Sequence, residues 1–267
     1  MVANKYIQRG LKSPLTASQL FTNSQIDQLQ QDMTYLTTVK EWLENFLGKP
    51  NPHLGRSGTV CPFIPKSLQI DAIRLAVVHT LNSDQHQIEG LVRRYRDIFL
   101  QLEVKDGELA LYKALLLIFP DISHEQAPLL IDEVQKKLKP FFVEAGLMIG
   151  EFHALNETPG LHNPNFRPLR SPIPIIAIRS MVESDLPFLI QSTNESSLQI
   201  KYLEAYLKNM GNSFKNQDNL HQAQTTLNKL RDRLEHPTLN LQKSPSRCPF
   251  FRITETIKGR AVSFLRN

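Results

Sequence analysis

Cysteine and tryptophan are scarce in this 267-residue chain, with two of the first and one of the second. Two cysteines are too few for a disulfide framework. With no apolar h-region in the opening "MVANKYIQRGLKSPL", they point to free thiols in a reducing cytoplasm. No run of apolar residues reaches the eighteen or so needed to span a bilayer, so no membrane span is expected. There is no repeat at a solenoid period and no low-complexity tract. Also absent are a Walker ending, a dinucleotide fingerprint, a His-Glu-X-X-His pair and a Cys-X-X-Cys pair. Nothing in the spacing supports a metal, whether a tetrahedral zinc set or an ion held by His153 and His162.

What remains is an ordinary globular composition, 41% hydrophobic and 21% charged, with a formal charge of +5. A chain of this length suits one large domain, or one core with helical extensions. The basic residues are dispersed. The short clusters Arg93-Arg94-Tyr95-Arg96 and Lys136-Lys137-Leu138-Lys139 fall within helical patterns and read as solvated faces, so there is no specific nucleic-acid signal. This charge matches small anionic ligands, or nothing in particular.

Apolar residues at three- and four-residue steps predict a helix over 18–47, with Ser24 as its N-cap and Gly48-Lys49-Pro50 as its stop. Prolines 50, 52, 62 and 65 and glycines 55 and 58 then argue against any regular element through residue 67. Short β-branched or continuous apolar runs predict strands near 70–80, 110–119, 147–155 and 173–182. Helical stripes fall between them at 86–103 and 124–143, the latter capped by Ser123, and follow at 184–192, 195–210 and 217–235. The central order β-α-β-α-β-β-α predicts an α+β or α/β fold, with thioredoxin-like and ferredoxin-like arrangements as alternatives. The expected division is an N-terminal helical segment (1–48), a core domain (49–192) and a C-terminal helical extension with a tail (193–267). The helical ends are the expected surface for a homo-oligomer or protein partner.

Most of the chemistry gathers in "NETPGLHNPNFRPLRSP", residues 156–172. A hairpin connection needs only two to five residues, and four prolines here restrict the conformations of a far longer one. Arg167 and Arg170 offer guanidinium forks for a carboxylate or phosphate. Asn163 and Asn165 add hydrogen-bonding groups. Glu151 and His153 alternate on the preceding strand and so share a face. With His162 they form a candidate acid/base set. "HLGRSGTV" supplies a second candidate anion cradle through Gly55, Arg56 and Gly58. Arg167 and Arg170 equally suit the bland role of pinning a long loop to neighbouring carbonyls and carboxylates.

Both cysteines precede a Pro-Phe pair, in "VCPFIP" and "RCPFF". Proline keeps the preceding residue extended, so such a thiol can project from a loop, and a thiolate is a ligand for haem iron. Cys61 is therefore a further candidate, as nucleophile or as haem ligand, and Cys248 a second haem candidate. Burial as small hydrophobes is the alternative for both. Together "HLGRSGTVCPFIP" and "EFHALNETPGLHNPNFRPLRSPIPIIAIR" resemble an uncharacterised bacterial domain family over roughly residues 42–190. That resemblance implies no activity and transfers no catalytic residue. Three functions stay open: binding and conversion of a small anionic metabolite, a non-catalytic interaction protein, and a haem-responsive protein.

Overall fold

A computed structural model describes residues 22–102, 107–191, 195–211 and 214–235. Four strands form one sheet in the order β1-β2-β4-β3: β1 Ile73–Val77, β2 Ala114–Ile118, β3 Leu147–Phe152 and β4 Ile175–Ser180. β1 and β2 run parallel, joined through helix α3, Gln85–Gln101. β4 is antiparallel to both β2 and β3. The fold is mixed α+β, with the expected β-α-β-α-β-β-α order and helices at both ends.

The central strands β2 and β4 are buried on both faces, which is why "ALLLI" and "IIAI" read as continuous apolar runs. Leu115, Leu117, Ile176 and Ile178 face one way, into a core shared with Val92 and Phe99 of α3 and Val134, Leu138 and Phe142 of α4 (Glu133–Glu144). Leu116, Ile118 and Ile175 face the other way, against Val39, Leu43 and Leu47. Val39 belongs to α1, Asn23–Trp42, which continues as a wider turn through Leu43–Leu47. A third cluster packs α6 (Ser196–Met210) and α7 (Gln217–Glu235) around Tyr202, Leu203, Tyr206, Leu227 and Leu230. The short α5, Leu186–Leu189, contributes Leu186 and Leu189 to it.

Two local expectations are corrected. The N-cap of α1 is Thr22, not Ser24: the Thr22 side chain accepts from the Gln25 N–H while the Gln25 side chain accepts from the Thr22 N–H. Glutamine at the third position selects one of two nearby hydroxyls. The second concerns the proline-rich stretch, which ends in a helix, α2, Ile64–Gln69. Pro65 lies in its first turn, where the ring's fixed φ suits a helix and its missing N–H costs no bond. At the entry to α4, Ser123 does form reciprocal bonds with Gln126, closing the turn that leads into the helix.

Register places the carboxyl ends of β1 and β2 at the same end of the sheet as the β3–β4 connection: Val77 opposes Ile118, Ile118 opposes Ile175, and Ile175 opposes Phe152. The long connection therefore emerges at one end, beside the turn after β2. The Phe119 N–H donates to the Pro174 carbonyl there at 2.9 Å.

Candidate functional site

The connection 153–174 is ordered by its own bonds and by an aromatic floor. Its Gly160 N–H donates to the Phe166 carbonyl, and the His153 N–H to the Leu169 carbonyl. Phe166 is buried against Phe46, Phe46 stacks on Trp42, and Trp42 meets Phe152 edge-on. The only tryptophan in the sequence also donates its indole N–H to the Arg170 carbonyl at 3.1 Å. A second proline-rich loop packs on this one. Gly55 has φ +78°, and a Cβ there would lie 2.4 Å from the His162 carbonyl oxygen. The Asn163 side-chain amide donates to the His53 carbonyl at 2.7 Å, stitching the two loops together.

Arg167 and Arg170 converge on one carboxylate. Arg167 Nε donates to Glu157 Oε2 at 2.9 Å, and Arg170 Nη2 donates to Glu157 Oε1. Arg167 also reaches the Pro164 carbonyl, and Arg170 Nε the Asn156 carbonyl. The two guanidiniums hold the Glu157 carboxyl below the usual carboxylate range. Its side chain is nonetheless two-thirds exposed. A carboxylate between two guanidiniums is the geometry either of a loop clasp or of an anion site filled from within.

Next to this pair lies a partly buried polar cluster. His153 is only 1% exposed, and its Nε2 is 3.0 Å from Asp132 Oδ1. Asp132 therefore favours the tautomer with the proton on Nε2, which leaves the lone pair on Nδ1. That nitrogen has no hydrogen-bond partner among the described residues. Burial raises the Asp132 carboxyl above its ordinary value, against the opposing pull of His153. Glu151 is half-buried beside it. Desolvation, with the Asp132 charge adding to it, pushes its carboxyl up to about 7, despite its own N–H, Lys139 and the Asn156 side chain. Asn156, itself buried, thus connects the two groups: its side chain meets Glu151 while its carbonyl receives Arg170.

The remaining candidates are spread more widely. Arg56 donates to the Ser57 and Val60 carbonyls and so ties its own loop. Asn163 accepts from the Asn165 N–H, making an Asx turn, while His162 and Asn165 are exposed. Cys61 is half-buried in the α1-side core, and its N–H donates to the Leu47 carbonyl. It lies in the neighbourhood of Arg179, which opposes Ala114 and Met148 at the other end of the sheet from the arginine pair. Cys248 lies outside the described residues. Among those residues no group of three or more histidine, cysteine or acidic side chains could hold a metal.

Asp132 and Glu157 were not among the residues singled out by sequence. Asp132 sits one turn into a helix, 21 residues from the histidine it holds, with no motif linking them. Glu157 is adjacent to the loop's other polar groups, but only folding brings its carboxylate between the two arginines.

These features define an α+β domain with a proline-rich double loop beside a partly buried carboxylate–histidine cluster. Residues 36–221 match the family described as Domain of unknown function (DUF6875), and since that is well over half of the chain, the protein belongs to this family. No curated protein and no solved structure matches it. No helix among the described residues is long and apolar enough to cross a membrane.

Proposed function

We propose that the 153–174 loop binds a small anionic molecule in the cytoplasm, with the carboxylate or phosphate of the ligand taking the place that Glu157 occupies between Arg167 and Arg170. The observation that carries this reading is the shared carboxylate itself. Two guanidiniums spaced to hold one exposed Glu157 side chain are spaced to hold another anion of the same size. Glu157 then acts as an internal competitor that leaves when the ligand arrives.

The adjacent cluster gives the site a proton-handling group. His153 is oriented by Asp132 through Nε2 and offers Nδ1 as a base, while Glu151, ionising near neutrality, can hold or release a proton. Asn156 joins this group to Arg170, so an anion seated on the arginines would lie beside it. In this reading Asn163 and Arg56 shape the loops, His162 and Asn165 form the exposed rim, and Cys61 takes no part.

Calorimetric titration with a panel of small mono- and dicarboxylates and inorganic phosphate tests the proposal. Binding by the wild-type protein, lost in Arg167→Ala and in Arg170→Ala while circular dichroism stays unchanged, is the expected result. A carboxylate that binds all three proteins equally would assign the arginines to loop structure alone.

A further inference from the structure

His79, two residues beyond β1, stands between two aspartates from different elements. Its Nε2 is 2.9 Å from Asp32 Oδ1 on α1, and its Nδ1 is 3.3 Å from both carboxylate oxygens of Asp121, in the turn after β2. Asp121 is fixed independently by the Thr80 N–H at 2.7 Å. Gln28, one turn before Asp32, brings its side-chain amide within 2.9 Å of both Asp32 Oδ1 and His79 Nε2.

The ring has no nitrogen to spare for a substrate, in contrast to His153. Nor can one metal ion use this trio, because the two aspartates sit on opposite edges of the imidazole. What the arrangement does is join the first half of α1 to the sheet. Apolar packing holds the end of α1 through Val39, but Ile26 and Met33, nearer its start, are 43% and 58% exposed. Asp32 and Gln28 lie within the same weakly packed stretch, so the His79 bonds are a large share of what fixes it.

Those bonds depend on charge. Doubly protonated imidazole donates to both aspartates at once, whereas the neutral ring donates from only one nitrogen; with that proton on Nδ1, Nε2 faces the Asp32 carboxylate and can accept only from the Gln28 amide. We propose that His79 is a pH-dependent latch that docks the first half of α1 when protonated and releases it when neutral. The charged groups acting on the ring are Asp32 from α1 and Asp121 from the turn after β2. Partial burial opposes protonation, and the hydrogen bonds and charges of these two aspartates outweigh it, so the histidine titrates above its ordinary 6.5. The direction follows. The latch is fully engaged below the unfolded-state value and is lost as pH rises through the higher folded-state value.

Hydrogen exchange, corrected for the intrinsic pH dependence of amide exchange, reads the latch directly. Between pH 6 and pH 9, protection of the amides of residues 26–35 should fall by roughly fivefold or more in the wild-type protein, while that of β2 stays constant. Asp32→Asn removes only the α1 side of the latch and leaves Asp121 on Thr80. In both that variant and His79→Gln, protection of 26–35 should be low and independent of pH. Wild-type protection that does not change with pH, or a variant that keeps the wild-type pH dependence, would overturn the proposal.

Discussion

Removing Asp185 should be among the more damaging single changes available in this fold. Its carboxylate is 1% exposed and accepts from both terminal nitrogens of Arg179 and from the Val182 N–H at 2.8 Å. Burial alone would disfavour the Arg179 charge, but hydrogen bonding and charge from Asp185 hold its pKa above the ordinary value. Asp185→Ala leaves the guanidinium without its counterion. Breaking a buried pair from one side costs about 3–5 kcal/mol, and the 32% exposure of the Arg179 side chain places this case near the lower end, about 3 kcal/mol. In urea, with a slope of roughly 2–3 kcal/mol per molar for a chain of this size, the midpoint should drop by about 1 M or more. Replacing the pair together, Arg179→Met with Asp185→Leu, should recover part of that loss, since no charge is left stranded while the Val182 N–H still lacks its acceptor. A loss below about 1 kcal/mol in Asp185→Ala with an unchanged slope would refute the reasoning, as would a double variant no more stable than the single one.

Other consequences follow from the loops and the half-buried carboxylate. Gly55→Ala places a Cβ against the His162 carbonyl at a positive φ, so thermal stability should fall by at least about 1–2 kcal/mol and Trp42 emission should shift as the two loops part. Glu151 keeps in the native state a proton that the unfolded chain releases near 4.5. Wild-type stability should therefore fall as pH rises from about 4.5 to about 7, by at most about 3 kcal/mol, and then level off. Glu151→Gln should flatten that profile and be the more stable protein at pH 8; parallel curves for the two would count against this account of Glu151.

Much of the scaffold is readable from residue order because its signals are local. The runs in β2 and β4 are apolar on both faces, α3 and α4 carry clear stripes, and Gly48 marks where α1 gives way to a loop. Element order does not determine neighbour order: that β4 lies beside β2, with β1 outside, depends on how the faces pack. The helix at Ile64–Gln69 is hidden because Pro65 reads as a breaker unless its place in the first turn is known. At the site, the expected alternation of Glu151 and His153 assumes a strand through both, whereas β3 ends at Phe152 and His153 follows it. Their partners are not visible in sequence. Asp132 reaches His153 from the turn just before α4, and Asp32 reaches His79 across 47 residues, so both pairings exist only in the packed protein.

Whether Glu157 holds the place of a ligand, as proposed, is read from the affinity of Glu157→Gln for a small carboxylate. Trp42, whose indole is bonded to the Arg170 carbonyl, provides the fluorescence signal for the titration. If Glu157 is an internal competitor, the variant binds the added carboxylate more tightly than wild type, and the gain disappears when Arg167 or Arg170 is also replaced. If Glu157 is instead a structural clasp, the variant binds no better than wild type and loses stability, and the anion-site reading is wrong.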